Sequence, residues 1–114
     1  MQTREIVREQ WQNFFSEFTH LHRGERINVE IMVGGQIGVK RQMDNLPLVG
    51  IVDAEPDSSE EEWIEVIAGE APPSRASHSI YHPVRVWIAE HEDGRPLAVQ
   101  VESTDGQLTM IRMG

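Results

Sequence analysis

Two histidines in the second half of the chain are the residues best placed by type to do chemistry. His78 and His82 are four residues apart, and on a helix that spacing would direct both imidazoles at one metal ion. The apolar residues around them instead alternate along the chain, which predicts a strand. Four residues of a strand span about 13 Å, so one ion could not reach both rings. We therefore prefer a structural or surface role for them and keep a metal site nearby as the alternative.

The acidic run that starts at Asp53 has a spacing similar to that of a calcium loop. Asp53, Glu55 and Asp57 occupy alternate positions, as calcium ligands do, but the glycine and the glutamate that such a loop needs are replaced by Ser58 and Ile64. We interpret the run as a solvated acidic loop that keeps the protein soluble.

Other catalytic arrangements have weaker support in the sequence. Serines flank His78, but no nucleophile elbow accompanies them. The glycines at Gly34 and Gly35 open a strand, whereas a phosphate-binding loop would precede a helix. The chain has no cysteine, which excludes a thiolate zinc site and a cysteine nucleophile. We therefore predict no cofactor and no catalytic residue, and we favour a protein that is not an enzyme.

The charge is concentrated in one part of the chain. The net charge is −9, and residues 45–70 contain eight acids and no base. Such a surface repels phosphate backbones and anionic lipids, so we expect no nucleic-acid partner and no membrane partner. The first residues lack an apolar signal core, and no apolar run approaches the length that spans a membrane. We expect a single cytoplasmic domain over residues 1–114.

An apolar stripe near the start of the chain predicts a helix. Its members are spaced three and four residues apart, which is typical of an amphipathic helix. The stripe consists of Val7, Trp11, Phe14, Phe15, Phe18 and Leu21. We place the helix at about residues 7–22, with Gly24 as its stop. The four aromatic side chains of the stripe need a large apolar surface to pack against, and the sheet is the one candidate.

From residue 26 onward the apolar period falls to two, which predicts strands. The predicted strands lie at about residues 26–33, 36–43, 47–54, 62–68, 78–91, 96–103 and 107–113. They are separated by hairpin turns and by two loops, an acidic one at 55–60 and a proline-containing one at 69–77. The predicted class is α+β, with one N-terminal amphipathic helix on a curled, mainly antiparallel sheet of about seven strands.

Turn residues predict how these strands pair. An odd loop at Val33-Gly34-Gly35 would place Ile31 opposite Ile37 and Val29 opposite Val39. Near the end of the chain, two-residue turns would form an antiparallel meander of three strands. The turns are Asp93-Gly94, which pairs Ile88 with Val99 and Val86 with Val101, and Asp105-Gly106, which pairs Val101 with Met110.

The meander has a second face, which the helix cannot cover. Arg85 and Trp87 would lie on it. Their predicted neighbours are Ala98, Gln100, Glu102, Thr109, Ile111 and Met113. A tryptophan there needs a cover, supplied either by the curl of the sheet or by a second subunit or partner. The predicted binding surface is His78, His82, Arg85 and Trp87.

A set of residues along nearly the whole chain carries a family resemblance. It comprises Thr3-Arg4-Glu5-Ile6, Arg8, Trp11, Phe14-Phe15, Leu46-Pro47-Leu48, Gly50-Ile51, His78, Ile80, Pro83 and Val86. This set resembles an uncharacterised family of small bacterial proteins, the domain of unknown function 5335 type. Because its motifs are mostly structural, the resemblance implies a fold and assigns no catalytic residue. Val7 stands where the family has a proline at the helix start.

These observations favour a non-enzymatic cytoplasmic binding or accessory module. It would act through a sheet face or a strand edge, on a protein partner or as a homodimer. The alternative is a small-ligand-dependent or metal-dependent enzyme with a site near His78 and His82.

Overall fold

The computed structural model describes residues 1–33, 39–54 and 62–114. These residues form one α-helix, α1 (Trp11–His22), which follows a 3-10 turn at Arg8–Gln10. The strands are β1 (Gln2–Ile6), β2 (Arg26–Met32), β3 (Lys40–Ala54), β4 (Trp63–Ala68), β5 (Ala76–Tyr81), β6 (Pro83–Glu90), β7 (Pro96–Ser103) and β8 (Leu108–Met113). They make one sheet in the order β1-β6-β7-β8-β2-β3-β4-β5, and every pair in it is antiparallel.

The helix is shorter than predicted and is not the first element. Residues 2–6 form β1 and pair with β6, and Val7 is extended and 52% exposed. The prediction of an N-terminal helix from residue 7 was therefore wrong. Ile6 is the one buried residue of β1, so this edge strand has no alternation by which a sequence pattern could identify it. The predicted end of the helix before Gly24 is confirmed, since that glycine has φ +90°.

Helix α1 packs along the second half of β3, on the edge that is no longer paired with β2. β2 pairs with β3 up to Pro47, and β4 pairs with β3 from Leu48 onward. Along this second half, the Thr19 hydroxyl accepts a hydrogen bond from the Ile51 N–H at 3.0 Å and donates one to the Ile51 carbonyl at 3.4 Å. The helix thus satisfies backbone groups that a further strand would otherwise pair.

The buried face of α1 is narrower than the stripe indicates. Trp11, Phe15 and Phe18 are buried, whereas Leu21 is 62% exposed. The Trp11 indole N–H donates to the Ile6 carbonyl at 2.9 Å, which supplies the partner that a buried indole needs. Three aromatic side chains therefore anchor the helix in the core.

The meander of β6, β7 and β8 is confirmed, but one of its registers is shifted by a residue. Val86 pairs with Val101 and Ile88 with Val99, as predicted. The turn between these strands was predicted to have two residues and has three, 92–94, because the His91 N–H donates to the Arg95 carbonyl at 2.8 Å, and a register shift between Ala89 and Glu90 compensates for the extra residue. Val101, however, pairs with Thr109 rather than with Met110. The loop at residues 104–106 has three residues and not two, because the Asp105 carboxylate accepts the Gln107 N–H at 3.0 Å and Gly106 has φ +86°.

That shift exchanges the two faces of β8. Thr109 and Ile111 are fully buried in the core, so their predicted place on the outer face was wrong. Met110 lies on the outer face instead, because side chains alternate along a strand.

The first hairpin also differs from the prediction. Ile31 pairs with Lys40 and Val29 with Met43, so the predicted pairings with Ile37 and Val39 were wrong. The predicted strands at 36–43 and 47–54 join into the single strand β3. The pairing is already offset at Ile31, and two register shifts farther along, between Glu30 and Val29 and between Val29 and Ile27, offset it further. Asn45, with φ +53°, marks the irregular part of β3. The predicted turn glycines lie at residues 34–38, outside the described residues.

The predicted strand at 78–91 is two strands that meet at a corner. His82 has φ +54°, and its N–H donates to the Glu62 carbonyl while its own carbonyl accepts the Thr104 N–H, both at 3.1 Å. β5 is last in the strand order and β6 is second, yet one residue joins them. Because the two ends of the sheet meet at this corner, the sheet must curl.

A single cluster of buried side chains fills the inside of the curl. It draws on the helix and on all eight strands. The predicted loop at 69–77 ends earlier, since β5 begins at Ala76, and the predicted acidic loop at 55–60 lies outside the described residues. Within the described part of the chain, no helix is long and apolar enough to cross a membrane.

Candidate binding surface

The outer face of the meander carries Trp87 in a row of side chains that crosses several strands. Trp87 is half-buried on β6, between the core residues Val86 and Ile88. Register pairs place Gln100 of β7 and Met110 of β8 beside it in turn. The tryptophan therefore lies on the outer side of the sheet, between Glu5 of the edge strand β1 and Gln100 of β7.

A cleft of about 410 Å³ opens on this face. Most of its lining is apolar, and Thr3, Gln100 and Arg112 are the polar residues among those that line it. The lining residues are Met1, Thr3, Trp87, Ala89, Leu97, Ala98, Gln100, Met110, Arg112 and Met113. Its volume is in the range of small-molecule pockets, about 300 to 1,000 Å³. An apolar group can therefore be accommodated beside the indole ring.

Charged side chains surround this cleft in loose pairs. Glu30 of β2 lies between Arg41 and Arg112, with the closest nitrogen to oxygen distance 3.7 Å in each pair. Arg85 of β6 and Glu102 of β7 approach to 3.8 Å. An apolar centre with a charged rim is the usual anatomy of a binding surface.

The four residues of the predicted surface do not share one face. Arg85 and Trp87 lie together on the outer face of β6, as predicted. His78 pairs with the buried Val66, so its side chain is on the core side of β5. His82 is exposed at the corner between β5 and β6. Trp87 and Arg85 are thus separated from the two histidines.

His78 is half-buried, and its Nε2 has no hydrogen-bond partner among the described residues. Burial lowers the pKa of His78 below its usual 6.5, because removal of water disfavours the imidazolium. The ring is therefore neutral at pH 7, which suits a structural side chain. Within residues 1–33, 39–54 and 62–114, no group of three or more histidine, aspartate or glutamate side chains is placed to hold a metal ion.

Sequence reasoning missed a second polar cluster, at the carboxyl end of α1. The His22 Nδ1 and the Glu25 carboxylate are 2.7 Å apart, and the His22 ring lies 4.6 Å from the Phe18 ring. Beside them is a cavity of about 210 Å³ that Arg4 and Glu90 also line, joined by an ion pair of 3.1 Å. The signal was a histidine and a glutamate three residues apart at a helix end, which is also common on solvated surfaces.

A third cavity lies between α1 and β3, with a volume of about 440 Å³. The carboxylate of Asp53 lines it, and this residue is 8% exposed. Of the positions compared with a calcium loop, Glu55, Asp57 and Ser58 lie outside the described residues, and Ile64 is buried in β4. Asp53 is therefore a buried side chain of β3, on the same face as Ile51.

Comparison with known proteins places the chain in a family. The model of the family of unknown function DUF5335 matches residues 2–114. The chain belongs to this family. The resemblance drawn from the residues is thereby confirmed. One relative found by sequence comparison is an uncharacterised protein of Aquifex aeolicus (strain VF5). It is 26% identical over 114 residues, which cover 99% of this chain and 93% of the relative. No solved structure matches the chain.

Proposed function

We propose that this DUF5335 protein is a non-enzymatic, cytoplasmic binding or accessory module. It holds an apolar group of its ligand in the cleft around Trp87. The observation that carries the proposal is a half-buried indole on the uncovered face of the sheet, at the wall of a cavity of about 410 Å³. Pockets of this size with a mainly apolar lining and few polar groups are typical of small-molecule sites.

The position of Trp87 supports binding more strongly than a role in the core. The core side of β6 is already filled by Val86 and Ile88. Tryptophan on an outer face offers a large apolar area at a small cost in side-chain entropy, which is why it is enriched where binding energy concentrates.

Trp87→Ala tests the proposal, with Trp63→Ala as its matched control. Trp63 is also a partly exposed tryptophan, on β4, where its ring is 6.5 Å from that of Tyr81. We expect 1-octanol, titrated into ¹⁵N-labelled protein, to shift the amide resonances of the cleft residues. Trp87→Ala should remove these shifts, because the wall of the cleft is lost, and Trp63→Ala should retain them. If octanol leaves the cleft resonances of the native protein unchanged, the proposed function is wrong.

A second candidate function is self-association through β5. The two edge strands of the sheet differ: β1 carries Arg4 and Glu5, whereas β5 has neither a charged residue nor a proline. Charges and prolines are the usual means by which an edge is kept from pairing with another chain. An antiparallel pair of β5 strands about a two-fold axis would continue the sheet into a homodimer.

The alternative proposal is a small-ligand-dependent or metal-dependent enzyme with a site near His78 and His82. His78 is neutral and half-buried, and His82 lies on the corner. A net charge of −9 supports the expectation of no nucleic-acid partner and no anionic membrane partner.

A further inference from the structure

Resting on the proposed function, we infer that the ligand of the cleft is a small amphipathic carboxylate. Its apolar body lies against Trp87, and its carboxylate pairs with the Arg112 guanidinium. The volume of the cleft alone does not determine the chemical class of this ligand.

The charge of the lining selects for an anion. Arg112 has the one charged side chain among the residues that line the cleft, and no acidic side chain lines it. Two other cavities of the described residues differ in this respect, since Glu17 and Glu90 line one and Asp53 lines the other. The net charge of the protein is −9. A cleft with no carboxylate in its lining is therefore less negative than the average surface of the molecule.

Arg112 retains the capacity to bind a ligand. Its closest approach to Glu30 is 3.7 Å, from Nη1 to Oε2, which is too long for a hydrogen bond. Glu30 is also shared with Arg41, so its charge is divided between two guanidinium groups. The Arg112 side chain is 57% exposed, and its planar fork of donors matches the two oxygens of a carboxylate.

The remaining polar groups fit a single negative charge. Thr3 and Gln100 are neutral side chains that can donate hydrogen bonds to a carboxylate oxygen. Sites for dianionic groups such as phosphate usually combine several cations or a helix N-terminus, and this cleft has one arginine on a strand. A monocarboxylate with an aliphatic or aromatic body matches both the charge and the apolar walls.

Three probes with one apolar body and different head groups test the inference. Octanoate, octylammonium and 1-octanol are titrated separately into ¹⁵N-labelled full-length protein at low salt, and Kd is taken from the cleft amide shifts. We expect octanoate to bind about tenfold more tightly than octanol, the lower end of the range for a hydrogen bond to a charged group. Octylammonium should bind more weakly than octanol, because its charge meets Arg112. High salt should reduce the difference between octanoate and octanol.

Arg112→Gln should remove the preference for octanoate, so that octanoate and octanol bind this variant with similar affinity. Arg85→Gln is the matched control: Arg85 lies on the same outer face, is 59% exposed and has an ion pair of 3.8 Å, but it does not line the cleft. Both variants change the net charge equally. The control should keep the native preference, and circular dichroism checks that both are folded.

The outcomes separate this inference from the proposed function. If all three probes bind in the cleft with equal affinity, or if Arg85→Gln and Arg112→Gln weaken octanoate equally, the carboxylate inference is wrong and the apolar cleft still stands. If no probe shifts the cleft resonances, both are wrong. Octanoate shifts confined to surfaces other than the cleft would also overturn the inference.

Discussion

At the scale of single residues, burial decides what each candidate side chain can do. The same residue type has different properties at different places: His78 is half-buried with an unpartnered Nε2, whereas His22 is held by Glu25 at 2.7 Å. Arg85 and Arg112 have almost the same exposure and ion-pair distance, and only Arg112 lines the cleft. Chemistry assigned from residue type alone therefore needs the environment before it becomes a function.

His78 gives a pH dependence with a defined sign. Burial lowers the pKa of His78 in the folded protein below its usual 6.5, so the unfolded chain binds the proton more tightly. The contribution to stability is present above pH 6.5 and is lost as the pH falls from 6.5 through the folded-state pKa. We expect the melting temperature to fall less between pH 7.5 and 5.5 in His78→Gln than in the native protein.

Thermal unfolding followed by circular dichroism at both pH values measures this effect. His20→Gln, an exposed histidine of α1, is the matched control and should melt with the native pH dependence. An equal pH dependence in His78→Gln and in the native protein would contradict the prediction.

At the scale of elements, the secondary structure depends on how each segment is paired as well as on its own pattern. The helix, the central strands and the meander have strong periodicity, and all are present. β1 has one buried residue and acquires its conformation from pairing with β6. The corner at His82 also has a tertiary cause, since its backbone bonds with Glu62 and Thr104 come from two separate parts of the chain.

Helix α1 predicts a contrast between two apolar residues of the same stripe. Phe15 is 1% exposed, and Leu21 is 62% exposed. Phe15→Ala should lower the free energy of unfolding by about 3 to 5 kcal/mol, because it leaves a cavity in the core. Leu21→Ala should change it by about 0.5 kcal/mol or less.

Urea unfolding of the two variants measures these free energies, and equal m values would show that the comparison is sound. A loss of under about 1 kcal/mol for Phe15→Ala would mean that α1 is not part of the core.

At the scale of the whole molecule, the curl of the sheet leaves two edges and one open face. The inside of the curl holds the core, so function is left to the outer face, the edges and the cavities at the helix. The two edges carry different residues, which gives the molecule one charged edge and one uncharged edge.

This asymmetry predicts which edge forms a homodimer. We expect sedimentation velocity at increasing concentration to show a dimer, and Ser77→Lys on β5 to shift it toward monomer by placing two like charges at the paired edge. Gln2→Lys on β1 is the matched control, since it adds the same charge at an exposed position of the other edge, and it should leave the dimer intact. A native protein that remains monomeric at every concentration would rule out the dimer.

Features that depend on local periodicity can be predicted from the amino-acid sequence alone. These include the helix stop at Gly24, the two-residue alternation of most strands, the β6 to β7 register and the outward position of Trp87. Hydrophobic alternation and glycine conformation are encoded within a few residues, so a single chain reveals them. The membership in DUF5335 was also recognisable from the residues.

Features that depend on long-range pairing could be seen only in the folded structure. Two kinds of irregularity are involved. The register of pairing shifts by a residue at the bulges in β3 and at the three-residue loop before β8. The corner at His82 changes the direction of the chain. One residue of shift moves a side chain to the opposite face of a sheet. That is why Met110 lines the cleft beside Trp87 while Thr109 is buried.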